Sequence, residues 1–302
     1  MQIGMVGLGR MGLNMARRLT RGGHEVTGYN RHPDVTKEAE KEGIRGAYSL
    51  EELVSSLSPE RVVWLMVPAG APVDESIEGL KGLLSAGDIV VDGGNSFYKD
   101  ALRRAETLGE KGISFLDIGV SGGIWGLKEG YCMMAGGDHS AFERIEPALR
   151  TLAPEDGYMH CGPTGAGHFV KMVHNGIEYG MMEAYGEGFE LMAASKYGAG
   201  LDFQAISKLW NRGSVVRSWL LELLEAAFEK DPGLKSIRGF VEDSGEGRWT
   251  VQEAVDSGVA VPAIAAALFR RFRSRQDDSF AEKVLAALRA EFGGHAVKTE
   301  KE

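Results

Sequence analysis

Cysteine is nearly absent from this 302-residue chain: Cys132 and Cys161 are the only two, both in apolar or glycine-rich surroundings. Two thiols build no disulfide framework, and the pattern fits a protein kept in a reducing cytoplasm. No apolar run approaches the roughly 20 residues that span a bilayer. Basic residues are outnumbered, 34 Lys and Arg against 43 Asp and Glu, which leaves a formal charge of -9. That balance argues against nucleic acid as a partner through the bulk field, while leaving room for a local basic pocket that holds a small anion. No His, Cys or Asp grouping has metal-ligand spacing, so no metal is expected. Low-complexity segments and short internal repeats are missing too. The chain opens Met1-Gln2-Ile3-Gly4, directly in a strand pattern, so no secretory signal is expected.

What remains is an ordinary globular composition, 43% hydrophobic and 25% charged. Its length suits one large domain or two ordinary ones. The N-terminal half alternates strand and helix. A buried strand at 3–8 runs into Gly7-Leu8-Gly9-Arg10-Met11-Gly12, a helix follows to about Arg21, Gly22-Gly23 stops it, and 24–29 is the next strand. Strand, G-x-G-x-x-G, helix, strand is the dinucleotide fingerprint in the context it requires. Gly7 allows the tight turn, Gly9 lets a pyrophosphate approach the backbone, and Gly12 lets helix and strand pack closely. Free N–H groups at the helix start would hold the phosphates. The second strand ends in Tyr29-Asn30-Arg31-His32, where an NAD enzyme usually carries Asp or Glu for the ribose 2′-hydroxyl. Asn30 removes the carboxylate that would repel a 2′-phosphate. Arg31 offers a forked cation suited to one, so the cofactor is expected to be NADP, with NAD as the alternative.

Further strands are predicted at 61–67, 88–92, 114–117 and 131–135. Three loops follow the ends of such strands: one at Pro68-Ala69-Gly70, just after Val67, one at Gly93-Gly94-Asn95-Ser96, and one at Gly119-Val120-Ser121-Gly122-Gly123. Ligands of open α/β sheets lie at those ends. Asn95 and Ser121 therefore become site candidates, and Val67, Pro68 and Asn95 join the expected cofactor contacts. From Gly167 onward the alternation stops. Helices are predicted at 167–197, 202–211, 214–230, 234–243, 250–257, 262–275 and 278–291. The fold expected is an α/β Rossmann-type domain with a mostly parallel sheet over 1–164, then an all-α domain over 165–302.

The entry helix carries the strongest chemical signal. Lys171, His174, Asn175 and Glu178 fall at i, i+3, i+4 and i+7, on one face. A solvated face favours Glu and Lys in number; this one gathers an amine, an imidazole, an amide and a carboxylate. A glycine pair, Gly165 and Gly167, leads into it and lets the chain approach something closely.

These residues resemble the decarboxylating 6-phosphogluconate dehydrogenases of the short bacterial type, within the wider β-hydroxyacid dehydrogenases. The resemblance covers the whole chain. It rests on Asp92-Gly93-Gly94-Asn95, on Gly119-Val120-Ser121-Gly122-Gly123, and above all on Gly165-Ala166-Gly167-His168-Phe169-Val170-Lys171-Met172-Val173-His174-Asn175-Gly176-Ile177-Glu178-Tyr179. The last run separates the chain from 3-hydroxyisobutyrate dehydrogenases. Gly245-Glu246-Gly247-Arg248-Trp249-Thr250, Phe269-Arg270-Arg271 and the run from Arg289 to His295 also resemble family segments.

The resemblance implies roles. Lys171 is the base at the C3 hydroxyl, and Glu178 is the acid that later protonates C1 of the pentose product, the former C2. Asn95, Ser121, Gly122, Gly123, His174 and Asn175 hold the sugar acid. Tyr179, Arg271, Arg289 and His295 surround its phosphate, the last two reaching in from a second subunit of a homodimer or larger assembly. Three departures stand out: Ser244 replaces a lysine of the long enzymes, Ile124-Trp125 replaces acidic residues after Gly122-Gly123, and much of the long helical domain is missing.

The chemistry follows from the residue types. Oxidising a secondary alcohol needs a base as the hydride leaves for the cofactor, and a lysine serves only when neutral. Oxidation at C3 gives a β-keto acid, which loses carbon dioxide once its enolate oxygen is stabilised, here by the protonated lysine. The expected product is ribulose 5-phosphate, within gluconate use and the pentose phosphate pathway. A dehydrogenase for another β-hydroxy acid and a non-catalytic dinucleotide-binding module remain the alternatives.

Overall fold

The computed structural model describes residues 1–298, apart from the Phe292 side chain, and divides into two compact units, Met1–His174 and Asn175–Glu302. Among the described residues of the first unit, eight strands form one sheet: β1 (Gln2–Val6), β2 (Glu25–Tyr29), β3 (Arg45–Ala47), β4 (Val62–Leu65), β5 (Ile89–Asp92), β6 (Ser114–Ser121), β7 (Cys132–Gly137) and β8 (Tyr158–Gly162), in the order β3-β2-β1-β4-β5-β6-β7-β8. The ladder from β3 to β6 is parallel, β7 runs antiparallel to β6, and β8 is parallel to β7. The strands around the centre are continuous apolar runs, as a sheet covered on both faces demands. Helices α1 (Arg10–Arg21), α2 (Pro33–Glu40), α3 (Leu50–Ser55), α4 (Ala71–Lys81), α5 (Tyr98–Gly109), α6 (Gly126–Glu129) and α7 (His139–Leu152) intervene. Two buried clusters result, one around Ile3, Met5, Met15, Trp64 and Leu149, the other around Val63, Leu65, Ile77, Val90 and Leu108.

The chain order places β1 between β2 and β4, so the sheet reverses its winding beside the C-terminal end of β1. That switch point is where an open sheet leaves a crevice for a ligand, and the glycine turn of residues 7–12 stands at its mouth.

Helix α8 (Ala166–Ala194) carries the chain from the first unit into the second. The second unit continues with α9 (Phe203–Trp210), α10 (Trp219–Lys230), α11 (Glu246–Asp256), α12 (Pro262–Ser274) and α13 (Phe280–Gly293). Small aromatic-rich cores hold it: Phe189 packs among Phe203, Trp210 and Phe228, and Tyr179 among Ala267 and Leu268.

Four sequence expectations need correcting. β3 and β8 do not announce themselves: β3 has three residues, and β8, an edge strand, has no buried residue. Gly119-Val120-Ser121 is strand rather than loop, because pairing with β7 extends β6 to Ser121. Residues 234–243 form turns, not a helix. Leu234 takes a left-handed φ of 48°, and the Asp231 carboxylate accepts from both the backbone and the hydroxyl of Ser236. The helix expected from 214 starts at Trp219, where the Ser218 hydroxyl accepts the Leu221 N–H and caps it. No helix among the described residues is long and apolar enough to cross a membrane.

Candidate active site

The glycine turn has the shape of a dinucleotide cradle. Gly7 sits at φ 94°, closed to L side chains, and a Cβ at Gly12 would stand 2.0 Å from the Gly7 carbonyl. In front of Gly9 lies open space, with nothing within 4 Å of where a Cβ would be. No side chain caps the start of α1 and no acidic residue lies in its first turn. Its first N–H groups and the positive end of its dipole are therefore left for an anion. Arg10 is exposed and Met11 packs against the core. Asn30 does structural work there: its Oδ1 accepts the Leu8 N–H at 3.1 Å, and its Nδ2 donates to the His32 carbonyl at 3.4 Å. Arg31 is exposed and makes no ion pair among the described residues. Val67 is half-buried at the end of β4, and Pro68 is exposed. These features fit a nicotinamide dinucleotide.

The first unit also assembles the first turns of α8. Its N-terminus is capped from the sheet: Asp117 accepts the Gly165 N–H at 2.7 Å and the His168 N–H at 2.8 Å. Close approach is possible only because the facing residues lack side chains. A Cβ at Gly167 would lie 2.2 Å from the Asp117 carbonyl, and one at Gly119 would lie 2.2 Å from the Lys171 Cβ. Lys171 is thereby held, 7% exposed, over the last residues of β6. Ser121, two residues on, faces His174 with Oγ 3.5 Å from Nε2. Cys132 is the strand partner of Ser121; burial pushes its thiol pKa up, against the opposing Lys171 charge. Gly122 and Gly123 follow with φ of 127° and 52°, the second of them exposed. Asn95 is exposed in its loop after β5. Within one unit the structure thus places Lys171 over Gly119 of β6 and His174 beside Ser121.

Within the second unit Tyr179, Ser244 and Arg271 meet. The Arg271 guanidinium lies over the Tyr179 ring, 3.5 Å from its centroid, and Nη1 donates to the Glu242 carbonyl at 2.8 Å. The Tyr179 hydroxyl accepts the Ser244 N–H at 3.1 Å, and the Ser244 hydroxyl donates to Glu246 at 2.6 Å. The flanking arginines already have carboxylates: Arg270 stands 3.6 Å from Glu183, and Arg273 stands 2.7 Å from Glu282. Among the described residues Arg271 has none within ion-pair distance, which leaves its charge for an outside anion. Asn175 is buried and Glu178 half-buried, both on the α8 face that begins with Lys171. Arg289 and His295 are exposed at the end of α13 and just beyond it.

Sequence reasoning missed a buried polar set beneath the first unit's site. Asp92, Arg104, Asp117 and His168 are each no more than 2% exposed. Arg104 donates to Asp92 at 3.0 Å and to Asp74 at 2.8 Å. Burial raises the Asp92 pKa, but the adjoining His168 imidazole and the Arg104 charge outweigh it and hold the carboxyl below its usual value. Asp117 goes the other way: burial pushes its carboxyl up in spite of His168 and two backbone N–H groups. The available signal was an Asp ending an apolar strand, twice; nothing in the sequence tells Arg104 from exposed Arg103. Among the described residues, no group of three His, Cys, Asp or Glu side chains is placed to hold a metal ion.

Comparison with known proteins agrees across the chain. Residues 2–162 match the NAD binding domain of 6-phosphogluconate dehydrogenase, and residues 167–301 match the 6-phosphogluconate dehydrogenase C-terminal domain. The Bacillus subtilis (strain 168) protein YqeC, provisionally named a 6-phosphogluconate dehydrogenase, is 48% identical over 99% of both chains. A Haloferax volcanii protein named NAD(+)-dependent, decarboxylating 6-phosphogluconate dehydrogenase is 44% identical over 98% of both. Among solved structures, Plasmodium falciparum 6-phosphogluconate dehydrogenase, studied with NADP+ and with 6-phosphogluconate, superposes with a TM-score of 0.82 at 30% identity. It matches all of this chain and 67% of its own.

Proposed function

The chain belongs to the 6-phosphogluconate dehydrogenase family, and we propose that it converts 6-phosphogluconate to ribulose 5-phosphate and carbon dioxide with reduction of NADP. The face of α8 carries this reading: Lys171, His174, Asn175 and Glu178 share it, and Lys171 is buried against the glycine backbone of β6.

The bound nicotinamide supplies the acceptor for the C3 hydride. Lys171, acting in its amine form, takes the proton of the C3 hydroxyl. Its ammonium then stabilises the enolate oxygen as C1 departs as carbon dioxide. Glu178, two helical turns further on, gives the enediol a proton at carbon. Asn95, Ser121, Gly122, Gly123, His174 and Asn175 orient the sugar acid. Tyr179 and Arg271 take the phosphate, with Arg289 and His295 supplied by the second subunit of a homodimer in the cytoplasm. Ser244, where the long enzymes have lysine, spends its hydroxyl on Glu246, so Arg271 carries more of the phosphate.

NADP is favoured by an exposed Arg31, unpaired among the described residues, and by the neutral Asn30. NAD is the second reading, supported by the name of the Haloferax volcanii relative. Initial rates with 6-phosphogluconate and each nucleotide test both levels. Turnover with carbon dioxide release on the phosphorylated acid, and none on gluconate, is expected. Equal rates on unphosphorylated β-hydroxy acids would replace this reading with the broader class.

A further inference from the structure

The buried polar set has a connectivity that none of the roles above uses. Asp92 closes β5, and its two oxygens serve different segments. Oδ1 accepts the Gly94 N–H at 3.1 Å and so fixes the loop that carries Asn95. Oδ2 lies 3.0 Å from Arg104 Nη1 and 3.5 Å from His168 Nε2. Arg104 is tied in turn to Asp74 and to the Gly70 carbonyl. His168 stands one helical turn before Lys171, and its backbone N–H is held by Asp117. Its ring is only 1% exposed, and among the described residues Nε2 has no aligned hydrogen-bond partner. The Asp92 carboxylate is therefore the group that compensates it, since an uncompensated polar atom at such depth is costly.

We propose that His168 is a positioning residue: braced between Asp92 and Asp117, it holds the first turn of α8 in register with the Gly93-Gly94-Asn95 loop and thereby aims the Lys171 amine. Each residue along a helix turns the side-chain direction by about 100°. A small rotation or slide of this first turn therefore displaces the base of a long, flexible lysine. The Asp117 cap and the close packing of Gly167 and Lys171 on β6 fix the helix end against the sheet. The ring-to-carboxylate contact adds a tie to the neighbouring strand β5, through a carboxylate itself anchored by Arg104. The inference rests on Lys171 acting as the base.

The test compares His168→Gln with His168→Asn in the full-length protein, using 6-phosphogluconate and its C3-deuterated form. The Gln amide reaches about as far as Nε2, whereas the Asn amide falls short by one carbon. His168→Asn is expected to lose about tenfold to a hundredfold in kcat per folded molecule, the penalty for misplacing a reacting group by about 1 Å. Its KM for 6-phosphogluconate and for NADP should stay near wild type, and its deuterium isotope effect should rise as chemistry becomes more rate-limiting. His168→Gln should keep most of the wild-type kcat. Equal kcat in the two variants, whether high or low, or Asn above Gln, overturns the proposal. So does failure of both to fold, which would make His168 purely structural. A wild-type protein inert toward 6-phosphogluconate would overturn the proposed function and this inference together, whereas an active wild type beside an unimpaired His168→Asn overturns this inference alone.

Discussion

Strand β6 passes so close to Lys171 that no side chain fits at Gly119: a Cβ there would stand 2.2 Å from that of the lysine. The backbone at Gly119 is not in a left-handed conformation, so the constraint is purely steric. Gly119→Ala must therefore push the helix or the strand aside. It should cost about 1–3 kcal/mol, as overpacking does, and lower kcat more than it changes KM for NADP. Thermal melts and initial rates on the same preparation check this. A variant with native melting and native kcat would show that the contact relaxes freely.

Lys171→Met should remove oxidation and decarboxylation together while leaving NADP affinity nearly intact. The loss in kcat should be about 10²- to 10⁴-fold, the usual contribution of a positioned base. Glu178→Gln should instead retain NADPH formation in a single turnover and lose steady-state turnover. Rapid-quench product analysis separates the two, and a Lys171→Met enzyme near wild type would refute the assignment of the base.

Arg31 is exposed and unpaired among the described residues, so its removal should leave stability unchanged. Arg31→Ala should weaken NADP by roughly tenfold to a hundredfold, the loss of one charge-assisted contact of about 1.5–3 kcal/mol, and barely touch NAD. Nucleotide titration of wild type and variant is enough. A wild type that prefers NAD would sink the idea.

Arg271, Arg270 and Arg273 lie within four residues on α12 but differ in their surroundings. Arg270 and Arg273 are matched to Glu183 and Glu282, while Arg271 lies on the Tyr179 ring with no carboxylate at ion-pair distance among the described residues. Arg271→Ala should raise KM for 6-phosphogluconate strongly and leave KM for NADP alone, and the other two alanine variants should do little. Arg271→Lys should not rescue it, because lysine replaces neither the planar stack nor the forked donors. Equal effects at all three positions would point to a diffuse basic field.

Complementation tests the proposed shared site. Lys171→Ala in one chain and Arg289→Ala with His295→Ala in another should each be inactive alone. If tails act in trans within a twofold dimer, random mixing yields hybrids in half the dimers, each with one intact site, so roughly a quarter of wild-type activity returns. No recovery with hybrids present would rule the arrangement out.

Much of this protein follows from its order of residues alone. Glycines at 7, 9 and 12 between a strand and a helix dictate a dinucleotide turn, because backbone conformation and close approach are local requirements. The spacing of Lys171, His174, Asn175 and Glu178 fixes them on one face for an equally local reason, the helical period. The tertiary structure decided what depends on partners distant in sequence. Gly119, Val120 and Ser121 are strand because β7 lies beside them, and β8 is a strand only because β7 offers it a ladder. Asp92 and Arg104 are buried because they meet each other, and His168 is buried because Asp92 is there to meet it. Charged side chains carry no mark of depth in their own sequence. Whether one is solvated or locked in the interior is settled by the partner that compensates it, and that partner is supplied by the fold.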